Sequence, residues 1–87
     1  MTTTDRVTFY WRPGCGFCSS LRQRLVAASI PVDERNIWED EVAASFVRSV
    51  ARGHETVPTV VVGGQALVNP SASEVVRLHE AAAAARP

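Results

Sequence analysis

The chain has 87 residues, of which 46% are hydrophobic and 21% charged, and its nine basic residues balance nine acidic ones. This length predicts a single domain over residues 1–87 with one modest core, and we expect residues 1–5 to be flexible. A net charge of zero argues against a nucleic-acid partner. No apolar segment has the length of a signal peptide or a membrane span, so we expect a cytoplasmic protein, monomeric and without a membrane partner.

The first half of the chain alternates between strand and helix patterns. Val7–Trp11 is β-branched and aromatic and ends before Pro13 and Gly14, which indicates a buried strand followed by a turn. A helix pattern follows, and Pro31 separates it from a second predicted strand at residues 32–37. Apolar residues three or four apart predict the inner face of this helix, which comprises Cys18, Leu21, Leu25 and Ala28.

A second helix is predicted after residue 38. Acidic residues at 39–41 favour a helix start, because the helix dipole stabilises negative charge there, and Gly53 supplies a stop. Apolar spacing predicts an inner face of Val42, Phe46 and Val50.

The last third predicts a hairpin and a third helix. Two short strands at 58–62 and 65–68 are joined by a Gly-Gly turn. Asn69 and Ser71 are rival N-caps for the helix, Ser71 having capping-box spacing to an acid three residues later. The predicted buried side of this helix comprises Val75, Leu78, His79 and Ala82.

These segments give the order β-α-β-α-β-β-α. The first two strands are joined through a helix and should be parallel, whereas the hairpin makes the last two antiparallel. The sequence therefore predicts an α/β fold with a four-stranded mixed sheet flanked by three helices.

The motif Cys15-Gly16-Phe17-Cys18 contains both cysteines of the chain. Cysteines three apart at a helix start lie about one turn apart, which is close enough for a disulfide. A strand leading into such a pair is typical of thiol–disulfide exchange enzymes. A structural disulfide across so short a loop would constrain the unfolded chain little. In a reducing compartment, metal binding is the other alternative.

The two cysteines are expected to differ in role. Unpaired amide N–H groups at the helix start favour a thiolate at Cys15, and Arg12 can add positive charge. We therefore predict an exposed, nucleophilic Cys15 and a less exposed Cys18 that resolves the mixed disulfide. Gly16 would let a substrate backbone approach. Phe17 would either cover one side of the sulfur or simply pack in the loop.

The chain resembles the glutaredoxin branch of the thioredoxin superfamily, and within it the mycoredoxins of actinobacteria. The resemblance rests on three segments, namely Arg12-x-x-Cys15-Gly16-Phe17-Cys18, Thr56-Val57-Pro58 before the Gly-Gly turn, and Val68-Asn69-Pro70-Ser71-Ala72-Ser73-Glu74-Val75. It departs from many glutaredoxins in lacking a proline between the cysteines and in having Asn69-Pro70-Ser71 before the last helix.

This resemblance implies a thioredoxin-like fold and a substrate site. It implies a cis Val57–Pro58 peptide facing Cys15, with the Val57 backbone pairing with the peptide-like part of the small thiol. Arg12 would meet a carboxylate, although a plain solvated loop charge is the alternative. Thr56 belongs to the same segment as Pro58. Around Asn69 and Ser71 the last helix would offer amide donors, unless Ser71 serves only as a cap.

The resemblance also implies the activity. We expect a disulfide reductase without a bound cofactor or metal, which reduces protein mixed disulfides with mycothiol as co-substrate and is recycled by a flavoprotein disulfide reductase. Alternatives are a glutathione-dependent glutaredoxin, a redoxin fed by thioredoxin reductase for ribonucleotide reductase, and a homodimer holding a [2Fe–2S] cluster through Cys15. A zinc site of Cys15, Cys18, His54 and His79 is disfavoured by the spacing of the histidines.

Overall fold

The chain folds in the predicted order β-α-β-α-β-β-α, as described by a computed structural model for residues 6–84. The predicted flexible segment 1–5 lies outside the described residues. The second strand ends at residue 36 and the third begins at residue 59, so each is one residue shorter than predicted at that end. The elements are β1 (Val7–Trp11), α1 (Gly16–Ala27), β2 (Val32–Asn36), α2 (Glu41–Val50), β3 (Thr59–Val62), β4 (Gln65–Val68) and α3 (Ala72–Ala84).

The four strands form one mixed sheet in the order β2-β1-β3-β4. β1 and β2 are parallel, with Val7 opposite Val32, whereas β3 is antiparallel to both β1 and β4. The predicted strand directions are therefore confirmed. None of the helices within residues 6–84 has the length and apolar character needed to cross a bilayer.

The two faces of the sheet carry separate apolar clusters. One cluster includes Phe9 and Val60 of the sheet, three residues of α1 and Val75 of α3. The other lies under α2 and contains Ile37, Ala43 and Val47. Because Phe9 belongs to the first cluster and its neighbour Tyr10 packs against the second, the strands show the alternation expected of a sheet covered on both sides.

The predicted inner face of α2 is wrong at Val42, whereas Phe46 and Val50 are partly buried. Ala43, Ala44 and Val47 are buried, whereas Val42 is 80% exposed. Both sets of residues have helical spacing, but it is the set with the two alanines that packs with Ile37 in the second cluster. Phe46 remains half-buried and stacks on Tyr10, with 5.1 Å between the ring centroids.

The inner face of α1 is confirmed except at its end. Cys18, Leu21 and Leu25 are buried, but Ala28 is exposed. The helix stops at Ala27 and the chain turns, so that Ile30 is buried in the same cluster instead.

The Gly63–Gly64 hairpin has positive φ at both residues, as a type I′ turn requires. We expect Gly64→Ala to lower the free energy of unfolding by about 1 kcal/mol, the cost of a side chain in left-handed backbone. Gly63→Ala should cost about 2 kcal/mol, because its new Cβ would lie 3.3 Å from the Cβ of Ala82. Urea unfolding of the two variants measures the difference, and equal losses would contradict the packing argument.

Candidate active site

The strand directions bring the predicted site residues to one edge of the sheet. The carboxyl ends of β1, β2 and β4 and the amino end of β3 all lie there. The edge therefore collects the residues that follow β1, precede β3 and follow β4, namely Arg12, Cys15, Gly16, Phe17, Cys18, Thr56, Val57, Pro58, Asn69 and Ser71.

Cys15 is the N-cap of α1 and forms a disulfide with Cys18, with 5.2 Å between their Cα atoms. The Cys18 backbone N–H donates a hydrogen bond to Cys15 Sγ at 3.1 Å. The first turn of α1 contains no acidic residue. The free N–H groups and positive end of the helix therefore stabilise negative charge on Cys15 Sγ once the disulfide is reduced.

The two cysteines differ in exposure in the predicted order. Cys15 is 9% exposed and Cys18 is 1% exposed. Cys15 is nevertheless more enclosed than predicted, because it packs in the same apolar cluster as Cys18. A partner sulfur therefore reaches Cys15 more readily than Cys18.

The segment before β3 packs against Cys15. The Val57–Pro58 peptide is cis, and the Val57 carbonyl oxygen lies 3.8 Å from Cys15 Sγ, as expected for a cis peptide that faces Cys15. The Thr59 hydroxyl donates to the Thr56 carbonyl at 2.8 Å, which closes the turn on its other side. The Val57 backbone is therefore held beside the sulfur.

A cavity of about 240 Å³ lies between the starts of α1 and α3. Of the ten lining residues five are apolar and four are polar and uncharged, and Arg24 carries a positive charge. The lining comprises Phe17, Ser20, Leu21, Arg24, Pro58, Asn69, Pro70, Ser71, Ala72 and Ser73.

The start of α3 is a closed capping box. The Glu74 N–H donates to Ser71 Oγ at 3.1 Å, and the Ser71 N–H donates to Glu74 Oε1 at 2.9 Å. Ser71 is therefore the N-cap, and its rival Asn69 instead uses its backbone N–H to bind the Pro58 carbonyl at 2.8 Å. This bond ties the α3 start to the cis-proline segment.

Arg12, Gly16 and Phe17 are near the cysteines in sequence and differ in their surroundings. Phe17 is 75% exposed and lines the cavity, so it does not simply pack in the loop. A Cβ added at Gly16 would meet no heavy atom within 4 Å, which leaves open space there. The Arg12 guanidinium lies over the Trp38 ring, 5.6 Å from its centroid, and donates to the Pro13 carbonyl at 3.0 Å.

Sequence reasoning missed part of this site. Ser20 and Arg24 line the cavity on α1, and Ser73 lines it on α3. The spacing of Phe17, Ser20 and Arg24 along one side of α1 was the available signal. Trp38 had no such signal, because its contact with Arg12 joins loops that are distant in sequence.

The structure gives no support to the zinc alternative. Within residues 6–84, no three His, Cys, Asp or Glu side chains form a group able to hold a metal ion, so His54 and His79 do not join the cysteines in such a group.

Comparisons with known proteins agree with this geometry. A family model described as Glutaredoxin matches residues 7–67. A protein of Mycobacterium tuberculosis that is named as a glutaredoxin is 45% identical over 73 residues, which cover 83% of this chain and 87% of that protein. Mycoredoxin 1 of Corynebacterium glutamicum is 37% identical over 80 residues, which cover 91% of this chain and 99% of that protein.

Solved structures share the fold at lower identity. The glutaredoxin-like protein NrdH-redoxin from Escherichia coli has a TM-score of 0.72 and 24% identity, covering 85% of this chain and 95% of its own. A glutaredoxin from Archaeoglobus fulgidus has a TM-score of 0.65 and 20% identity, covering 83% of each chain.

A thioredoxin-like fold with a cysteine pair at the start of its first helix defines a thiol–disulfide oxidoreductase. Within this class, the family match and the two actinobacterial relatives identify one family. The chain belongs to the glutaredoxin family.

The difference between the sulfurs predicts their order of alkylation. In the reduced protein, iodoacetamide should label Cys15 about tenfold or more faster than Cys18, because Cys15 accepts the Cys18 N–H and is the more accessible. Mass spectrometry of Cys15→Ser and Cys18→Ser measures each thiol separately. Faster labelling of the protein that retains only Cys18 would contradict the assignment.

Proposed function

We propose that this protein reduces mixed disulfides between proteins and mycothiol. The observation that carries the proposal is the set of three serines and one asparagine in the cavity lining, whose described residues include no carboxylate, together with the closed capping box at its α3 side. The 37% identity with mycoredoxin 1 of Corynebacterium glutamicum supports the same small thiol.

The cavity lining suits a neutral polyhydroxylated ligand. Mycothiol is an acetylated cysteine amide joined to sugar and inositol rings, rich in hydroxyl groups and without a carboxylate, whereas glutathione has free carboxylates. Hydroxyl groups both donate and accept hydrogen bonds, as do the side chains of Ser20, Asn69 and Ser73. The Arg24 guanidinium can also donate to hydroxyl oxygens.

Glu74 makes the start of α3 a poor site for a carboxylate. Its side chain already accepts the Ser71 N–H, and its charge offsets the positive end of the helix. A carboxylate approaching the same N–H groups would be repelled, but a neutral hydroxyl would not. This asymmetry favours mycothiol over glutathione.

The reaction begins with the Cys15 thiolate, which the Cys18 N–H stabilises. It attacks the mycothiol sulfur of the mixed disulfide; a Cys15–mycothiol disulfide forms, and the protein thiolate leaves with the electron pair. The thiolate of a second mycothiol then attacks the mycothiol sulfur of this adduct, which releases Cys15 and a symmetric disulfide for a flavoprotein reductase. Alternatively, the Cys18 thiolate attacks Cys15 Sγ of this adduct, mycothiol leaves as the thiolate with the electron pair, and the intramolecular disulfide seen in the structure forms.

The two cysteine variants test this route. Cys15→Ser should abolish turnover of a mycothiolated protein, because the remaining cysteine, Cys18, is only 1% exposed. Cys18→Ser should retain much of the activity, because a second mycothiol replaces its attack. Turnover is measured with mycothiol, its reductase and NADPH, and equal loss in both variants would indicate a purely dithiol enzyme.

Other electron donors serve as controls for the small thiol. The oxidised protein is treated separately with mycothiol, with glutathione and with thioredoxin reductase, and the mass of the Cys15 adduct is followed. If glutathione reduces the protein and mycothiol does not, glutathione is the co-substrate. If thioredoxin reductase reduces it without a small thiol, the protein needs no small thiol.

Glu74→Gln tests the basis of the thiol preference. Glutamine keeps the capping-box hydrogen bond but removes the charge, so the fold should be retained. The KM for glutathione should fall by about two- to fivefold, as expected for one charge at a helix start, whereas the KM for mycothiol should not change. Equal changes for both thiols would contradict the role of Glu74.

A further inference from the structure

The segment between α2 and β3 presents a peptide group beside the disulfide. The Val57 carbonyl oxygen lies 3.8 Å from Cys15 Sγ, and within residues 6–84 the Val57 N–H donates no hydrogen bond. Val57 is half-buried rather than enclosed. A substrate cysteine has an amide on each side of its side chain, so it can pair with this N–H and carbonyl when its sulfur meets Cys15.

Two hydrogen bonds fix the segment on the side of β3. The Thr59 hydroxyl donates to the Thr56 carbonyl at 2.8 Å. The Asn69 N–H donates to the Pro58 carbonyl, also at 2.8 Å. Both bonds involve carbonyl groups of the segment, and both come from residues that follow it in the chain.

The side towards α2 has fewer backbone contacts. The helix ends in a turn that the Gly53 N–H closes by donating to the Arg48 carbonyl at 2.8 Å. Beyond this turn, no N–H of residues 55–57 donates to a carbonyl within the described part of the chain. The Val57 side chain packs against both apolar clusters, but apolar packing has little directional preference. A polar contact from a side chain is therefore needed to fix the orientation of the peptide group from this side.

The Glu55 side chain makes such a contact. Its carboxylate accepts a hydrogen bond from Arg48 Nη1 at 2.6 Å, and the two side chains are only partly exposed, at 44% and 35%. Arg48 Nη2 also donates to Glu41 at 2.6 Å, but this second ion pair lies within α2. Glu55 instead lies two residues before Val57. The pair of Arg48 and Glu55 thus joins α2 to the segment that faces Cys15.

We propose that Arg48 is a positioning residue, which acts through Glu55 to orient the Val57 peptide group for pairing with the amides of a substrate cysteine. Loss of the ion pair leaves the Cys15 thiolate unchanged, because Cys15 is capped by its own helix. It slows the reaction of a disulfide whose cysteine is in peptide linkage. This role requires exchange at Cys15 but not mycothiol as the co-substrate, so it can fail or hold independently of the proposed function.

The test compares two disulfides of pyridine-2-thiol that differ in their amide groups. One contains N-acetylcysteine N-methylamide, which has an amide on each side of the cysteine, and the other contains ethanethiol, which has none. Each is mixed with the reduced Cys18→Ser protein. The Cys15 thiolate attacks the alkyl sulfur, a mixed disulfide with Cys15 forms, and pyridine-2-thiolate leaves with the electron pair and is followed by absorbance. The ratio of the two rates, amide probe over ethyl probe, measures the contribution of the amides.

Glu55→Gln and Arg48→Gln should each lower this ratio about two- to fivefold, the factor expected for one exposed ion pair. The double variant should lower it no further, because both changes remove the same contact. Glu41→Gln is the matched control, since it removes an equally short ion pair of Arg48 that lies within α2, and it should leave the ratio unchanged. Iodoacetamide labelling of Cys15 should have the same rate in all of these proteins.

Urea unfolding separates positioning from stability. Glu41→Gln and Glu55→Gln each remove one ion pair of Arg48, so their unfolding midpoints should shift by similar small amounts. A fall of the rate ratio in Glu55→Gln but not in Glu41→Gln is then not a result of lost stability.

An unchanged ratio in Glu55→Gln or in Arg48→Gln would overturn the proposal. An equal fall in Glu41→Gln would show that the effect belongs to α2 as a whole and not to the contact with Glu55. If Glu55→Gln slows both probes and iodoacetamide labelling to the same extent, the ion pair acts on the Cys15 thiolate, and the positioning role is wrong.

Discussion

The capping of α1 by the Cys15 sulfur is the interaction on which the site depends. A single hydrogen bond from the Cys18 N–H to Cys15 Sγ starts the helix, places the reactive sulfur at its positive end and sets Cys18 one turn further into the core. Because the cap is the reacting atom itself, the thiolate satisfies a donor that the helix would otherwise leave unpaired. Helix formation and activation of the nucleophile thus have the same physical cause.

The starts of α1 and α3 meet at the same edge but are electrostatically different. The first turn of α1 has no acid, so its positive end is available to the Cys15 thiolate. The start of α3 is offset by Glu74 through the capping box. One helix start therefore stabilises an anion, while the other offers polar groups to a neutral ligand. In the loop after β1, Arg12 stacks on Trp38 and forms no ion pair with a described carboxylate. The start of α1, the start of α3 and Arg12 therefore differ in the charge that each can accept.

Much of this arrangement was predictable because its signals are local. The motif from Cys15 to Cys18, the Gly-Gly turn and the capping-box spacing of Ser71 each act over a few residues, so the sequence alone indicated a strand, a dithiol helix, a hairpin and a last helix. The inner face of α2 was not predictable in this way. Val42 and Ala43 both belong to stripes with helical spacing, and only the packing of the folded chain shows that the stripe with the alanines is buried.

The sequence by itself determined the order of the elements, the cysteine pair and the chemistry of exchange, since these follow from periodicity, turn residues and the position of a thiol at a helix start. Only the tertiary structure decided that Cys15 is largely enclosed, that Arg24 and Ser73 share one cavity and that Arg12 stacks on Trp38. These features depend on the order β2-β1-β3-β4, which brings loops from distant parts of the chain to a single edge. The strand order is set by packing on both faces of the sheet.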